Sequence, residues 1–145
     1  MTDLMRIERL TAGYGDIQIL QGVDITIAKG RVTAVLGANG AGKTTILKTI
    51  SGIMDPQKGV VEFNGQEIQK SDPDWVMRQG ISHVPEGREV FPFLSVHENL
   101  MMGAYTRKDK DAIAQDVELV HSYFPILKER AEQPAGQLSG GEQQM

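Results

Sequence analysis

Gly37-Ala38-Asn39-Gly40-Ala41-Gly42-Lys43-Thr44, with Thr45 directly after it, is the stretch on which the fold turns. It matches G-x-x-x-x-G-K-[ST] at every position. Glycines let successive backbone N–H groups point inward at an anion without a β-carbon in the way. A helix that follows such a loop aims its positive dipole end at the same place. Lys43 adds a full charge where β- and γ-phosphates lie, and the Thr44 hydroxyl suits Mg²⁺. The stretch therefore reads as a nucleoside triphosphate loop, with ATP and Mg²⁺ as the expected ligands.

The flanks fit that reading. On the N-terminal side, Val32-Thr33-Ala34-Val35-Leu36 is almost wholly apolar, as expected of a parallel-sheet strand buried on both faces. On the C-terminal side, Ile46, Ile50 and Ile53 recur at i, i+4 and i+7, which predicts a helix over 44–53. Gly52 and Asp55-Pro56 close it.

Further out, Ile7–Leu10 and Ile25–Ile27 are short β-type runs, with Gly13, Gly15 and Gly22 breaking the chain between them. Val60–Phe63, Asn64-Gly65 and Gln66–Ile68 form a hairpin signal, since Asn-Gly accepts the positive φ angles of a type I′ turn. Asp72-Pro73 caps a short helix carrying Trp75 and Val76 and stopping at Gly80. Ile81–Val84 reads as another strand. Ser95-Val96-His97-Glu98 has capping-box spacing and opens a helix to about Ala104. Asp109 or Asp111 caps one more, with Ile113, Val117 and Val120 on one face and Pro125 at its end. The segment 133–145 is rich in Gly and Gln. The order predicts an α/β fold: an antiparallel β portion, a phosphate-loop core and a helical insertion, within one domain over 1–145.

Composition narrows the function classes. The chain has 145 residues, 40% hydrophobic and 23% charged, close to a soluble globular average. Its net charge is −4, with no long block of like charge, so no nucleic-acid partner is expected. It contains no cysteine, which excludes disulfides and thiolate metal sites. Met1–Arg9 alternates polar and apolar residues rather than forming a signal peptide, and no window approaches ~18 apolar residues. Any membrane link is expected through a partner.

A second motif decides which kind of nucleotide protein this resembles. Leu138-Ser139-Gly140-Gly141-Glu142-Gln143-Gln144 is similar to the signature of the ATP-binding cassette family, usually written L-S-G-G-Q, with Glu142 in the fifth position. It follows the phosphate loop at the separation the family requires. Taken alone, Ser139 and two glycines form either a plain loop or a second anion nest at a helix start. Val84-Pro85-Glu86-Gly87-Arg88-Glu89-Val90-Phe91 and Leu94-Ser95-Val96-His97-Glu98-Asn99-Leu100 sharpen the likeness. They resemble the second ATPase subunit of bacterial branched-chain amino acid importers.

The resemblance implies further roles. Tyr14 corresponds to the aromatic residue that stacks on adenine, and Thr45 to the residue beside the α-phosphate. Glu86 stands where the family's Q-loop usually has glutamine, and a carboxylate there is still a Mg²⁺ ligand. Two cassettes would pair head to tail, each ATP lying between one phosphate loop and Ser139, Gly140 and Gly141 of the other subunit. Integral membrane permeases and, indirectly, a periplasmic solute-binding protein would complete the machine on the cytoplasmic face of the inner membrane. Phe91, Phe93 and Leu94 fit either a permease interface or the core.

In the family, a Mg²⁺-holding aspartate, a water-activating glutamate and a switch histidine all follow the signature, and here the sequence stops at Met145. The chain therefore reads as a fragment incomplete at the C-terminus, with Lys43 its one catalytic group. His83, His97 and His121 precede the signature and read as surface or interface residues. A cassette protein without transport, of the translation-factor type, and an inactive nucleotide-binding fragment stand as alternatives.

Overall fold

The computed structural model describes residues 3–145; Met1 and Thr2, at the head of the alternating Met1–Arg9 stretch, lie outside the described residues. The chain divides into two compact units, one running to His83 and the other spanning Val84–Met145.

The first unit is built on a four-stranded antiparallel sheet in the order β2-β1-β3-β4. Its strands are β1 (Asp3–Tyr14), β2 (Ile17–Ala28), β3 (Lys58–Phe63) and β4 (Gln66–Glu67). The glycines thought to break the first two strands do not all do so. Gly13 lies within β1, and Gly22 sits inside β2 at φ +66°, where one extra residue separates the Leu10–Val23 and Ala12–Leu20 pairs. A matching irregularity in β1 falls at Arg9, with φ +48°. It shifts the period-2 alternation by one residue, so Met5 and Ile7 before it and Leu10 and Ala12 after it all face the core. The Asn64-Gly65 turn has φ of +50° and +80°, as its type requires.

Helix α1 (Lys43–Ile50) places Ile46 in the core with Ile7, Leu10, Leu20 and Val61. It stops at Ser51, earlier than the 44–53 periodicity suggests, and leaves Ile53 exposed. The short α2 (Pro73–Arg78) buries Val76 against the same cluster, with Trp75 packed alongside.

Two expected strands are absent. Val32–Leu36 and Ile81–Val84 form no strand, and Val32 is 100% and Leu36 90% exposed. A strand buried on both faces needs neighbours on either edge and layers above and below. Among the described residues the sheet closes on β2 and β4, and nothing pairs with either run.

The second unit is helical: α3 (Val96–Gly103), α4 (Lys110–Tyr123) and α5 (Pro125–Glu129), followed by two short 3-10 turns, Ala135–Gln137 and Glu142–Gln144. Ser95 opens α3 with a complete capping box: its hydroxyl accepts from Glu98 N at 3.1 Å, and its own N–H donates to the Glu98 carboxylate at 2.7 Å. Asp109 precedes α4 without a side-chain cap, and Pro125 does not end helical structure but begins α5. Val96, Leu127 and Leu138 form the small core, with Val120, Phe124 and Ile126 against it.

His121 departs from the reading of the three histidines as surface or interface residues. It lies on the face of α4 that carries Ile113, Val117 and Val120, and it is only 8% exposed. Phe93, at 95% exposed, and Phe91, about half exposed, are not core residues.

Candidate functional site

The glycine-rich loop expected to hold phosphate, 37–42, is exposed except for Gly42 and runs into α1. Gly42 is the N-cap at φ +94°, a left-handed conformation that glycine adopts without strain. A β-carbon there would lie 2.6 Å from the Leu20 Cδ2 and 3.1 Å from the Ile19 Cγ2. The glycine is thus fixed twice, by its torsion angle and by its seat against β2. The same seat holds the start of α1, and with it the helix dipole, at the mouth of the loop.

Lys43 does not point into solvent. Its ammonium donates to Gly37 O at 2.9 Å and to Ala38 O at 2.8 Å, closing the loop on itself. Ala41 N–H donates back to Ala38 O at 3.2 Å. A positive charge is therefore already turned inward over 37–42. Next to it, the Thr44 hydroxyl is exposed and has no protein partner among the described residues. Thr45 is buried in the first turn, and its carbonyl accepts from the Thr49 hydroxyl at 2.8 Å.

Tyr14 lies at the end of β1 and is 50% exposed. Lys48 of α1 reaches its hydroxyl at 3.5 Å and stands 5.8 Å from the ring centroid. Tyr14, the loop and α1 thus belong to one unit, joined by the Lys48 contact.

In the second unit, Ser139, Gly140 and Gly141 form a compact loop. Ser139 N–H donates to the Glu142 carboxylate at 2.7 Å, and Glu142 N–H returns a bond to the Ser139 hydroxyl at 3.4 Å. Arg130 reaches the same carboxylate at 3.4 Å. The Ser139 side chain first, then its N–H, with Arg130 adding its charge, hold the Glu142 carboxyl below the usual carboxylate range. Gly141 leads into a single 3-10 turn, Glu142–Gln144. Gln143 ties the loop down, donating to Ala135 O at 3.2 Å and Leu138 O at 3.1 Å.

The segment bearing Glu86 comes to this loop. Gln144 donates to Pro85 O at 3.4 Å, and the Arg88 guanidinium lies against Gly140. Glu86 itself is exposed. Sequence reasoning missed Lys48, Arg88 and Arg130. Their contacts join positions 34, 52 and 12 residues apart, and no spacing rule flags such pairs.

The donor set fits a polyphosphate carrying a hard cation: exposed loop amides, an inward ammonium and a free hydroxyl on the first turn of α1. Among the described residues no group of three or more His, Cys, Asp or Glu forms a separate metal site. No helix is long and apolar enough to cross a membrane.

Comparison with known proteins shows what the chain is similar to. The chain is 42% identical over 142 residues to the high-affinity branched-chain amino acid transport ATP-binding protein BraG of Pseudomonas aeruginosa. It is 41% identical over 142 residues to the probable branched-chain amino acid transport ATP-binding protein LivF of Archaeoglobus fulgidus. Each alignment covers 98% of this chain and 60% of the relative. The phosphate import ATP-binding protein PstB of Tropheryma whipplei is 32% identical over 99% of the chain and 60% of its own length.

Among solved structures, an ATP-binding subunit of an ABC transporter superposes with a TM-score of 0.84 at 27% identity, covering 97% of this chain and 58% of that one. The cbiO1 subunit of the Clostridium perfringens cbiONQ transporter complex gives 0.80 at 28%, covering 99% and 59%. The fold is that of an ABC ATPase cassette, of which this chain represents part. Residues 20–145 match the ABC transporter family, and the chain belongs to that family.

Proposed function

We propose that this chain is the nucleotide-binding part of an ABC importer ATPase, and that a whole protein carrying it hydrolyses ATP to drive branched-chain amino acid import. The observation that carries the reading is the Lys43 ammonium turned inward over 37–42 by two carbonyls at 2.8 and 2.9 Å. In this reading Gly37, Ala38, Asn39, Gly40, Ala41, Gly42, Lys43, Thr44 and Thr45 hold the triphosphate, and Tyr14 stacks on adenine. Lys43 gives up its two carbonyls for the phosphate oxygens, which are stronger acceptors because they are charged. Thr44 would hold Mg²⁺, which neutralises phosphate charge when bound, and the family resemblance gives Glu86 the role of a Mg²⁺ ligand as well.

Ser139, Gly140 and Gly141 face the nucleotide of a second cassette subunit, head to tail. Opening and closing of that composite site would be passed to membrane permeases, placing the chain on the cytoplasmic face of the membrane beside a periplasmic binding protein's pathway. Branched-chain amino acids are favoured as the solute because the relatives named for them are 41–42% identical, against 32% for the phosphate importer.

The test is amide hydrogen exchange with and without Mg-ATP. Protection is expected across 37–45 in the native chain and not in Lys43→Ala. Equal exchange in both, with and without nucleotide, would overturn the reading.

A further inference from the structure

We propose that Lys48 is a positioning residue for the nucleotide base, tethering Tyr14 to the phosphate-binding helix by its hydroxyl. The proposal rests on the reading of Tyr14 as the adenine-stacking residue and extends it to a residue with no assigned role.

The geometry separates two ways a lysine meets a tyrosine. A cation stacked on the ring occupies one π face and competes with a base for it. Here the ammonium stands 3.5 Å from the hydroxyl oxygen but 5.8 Å from the centroid, so it lies out beyond the hydroxyl end of the ring. The ammonium therefore covers neither face of Tyr14, and a half-exposed ring is held from its hydroxyl end.

Both ends of the tether are themselves fixed. Lys48 O accepts from Ile53 N–H at 2.9 Å and Met54 N–H at 3.2 Å, which locks the C-terminal turn of α1. The turn after Tyr14 is held by Gln57, whose amide donates to Gly15 O at 3.3 Å. Lys48 lies five positions after Lys43, on the same helix whose N-terminus closes the phosphate loop. One rigid element thus sets the phosphate cradle at one end and the base platform near the other. A ring held before binding loses less side-chain entropy when a base stacks on it.

The experiment compares ATP with inorganic tripolyphosphate, which has the phosphates without the base, by calorimetric titration of the chain in Mg²⁺. Lys48→Met should weaken ATP binding by about three- to tenfold and leave tripolyphosphate unchanged, the size of one net side-chain hydrogen bond. Tyr14→Phe, which removes only the oxygen, should reproduce this, and adding Lys48→Met to it should change ATP binding less than about twofold. Lys48→Arg should restore ATP binding. Equal weakening of both ligands by Lys48→Met, or of neither, overturns the tether. The underlying reading fails separately: if Tyr14→Ala leaves the ATP-to-tripolyphosphate ratio unchanged, Tyr14 is not the base platform. If Tyr14→Ala shifts that ratio and Lys48→Met does not, the Lys48 assignment alone is wrong.

Discussion

The guanidinium of Arg88 rests on the backbone of Gly140, so that a β-carbon at position 140 would fall 2.6 Å from Cζ and 2.9 Å from Nη2. The obstacle is the far end of a flexible side chain, which can swing away. Gly59 faces a different obstacle: at φ +99°, its β-carbon would lie 2.6 Å from Glu8 O and 2.7 Å from Arg9 O, both main-chain atoms of β1. Gly140→Ala should therefore cost under about 1 kcal/mol, as surface changes do. Gly59→Ala should cost about 2–4 kcal/mol, from torsional strain and overpacking together. Urea unfolding followed by circular dichroism measures both, and Trp75 fluorescence reports the unit containing Gly59. Similar midpoints for the two variants would show that β1 yields as easily as an arginine side chain.

The same loop should respond to acid. Glu142 is held below its ordinary value by Ser139 and Arg130, so the folded state favours its charged form. A depressed folded value gives stability that is fully present above the unfolded carboxylate range of about 4.3 and is lost as pH falls through the lower folded value. Exchange of the Ser139 amide, corrected for intrinsic pH dependence, should be protected near pH 6 and lose protection once pH falls below the ordinary carboxylate range. In Glu142→Gln the pH dependence should vanish. A variant that retains it would move the origin of the effect elsewhere.

The Ser95–Glu98 box makes a further claim on stability. Ser95→Ala removes the hydroxyl that accepts from Glu98 N–H and should destabilise the second unit by about 1 kcal/mol. Glu98→Gln keeps an oxygen for Ser95 N–H and should cost less. Thermal unfolding by circular dichroism ranks the two, and the reverse order would show that the carboxylate charge, not the cap geometry, carries the effect.

Local chemistry made much of the fold legible. The glycine-rich loop that runs into α1, the Asn64-Gly65 turn and the Ser95 box each depend on residues within a few positions of one another, and each has the local backbone its spacing requires. The strands were legible in type but not in extent, because bulges at Arg9 and Gly22 carry β1 and β2 through points that read as breaks. His121 was misread because a histidine on an apolar stripe looks polar by type while its position on α4 buries it. Val32–Leu36 failed for another reason: apolar content says that a run should be buried, but its partners must also be present in space. Tyr14 and Lys48 show the limit for the site, since their 34-residue separation makes the contact visible only once β1 and α1 are packed.

That unpaired run carries the last prediction. Val32 and Leu36 are almost wholly exposed within an apolar, β-branched stretch, the pattern that drives strand-to-strand association between chains. Self-association should rise steeply with concentration, seen as light scattering together with binding of a hydrophobic dye. Val32→Lys with Leu36→Lys places two charges on the run, and like charges on neighbouring chains oppose its pairing. The double variant should scatter less at equal concentration while its circular dichroism stays unchanged, because neither side chain contributes to the core around Ile7, Leu10 and Val61. Loss of secondary structure in the variant would mean that 32–36 is packed in solution, and unchanged scattering would place the adhesive surface elsewhere.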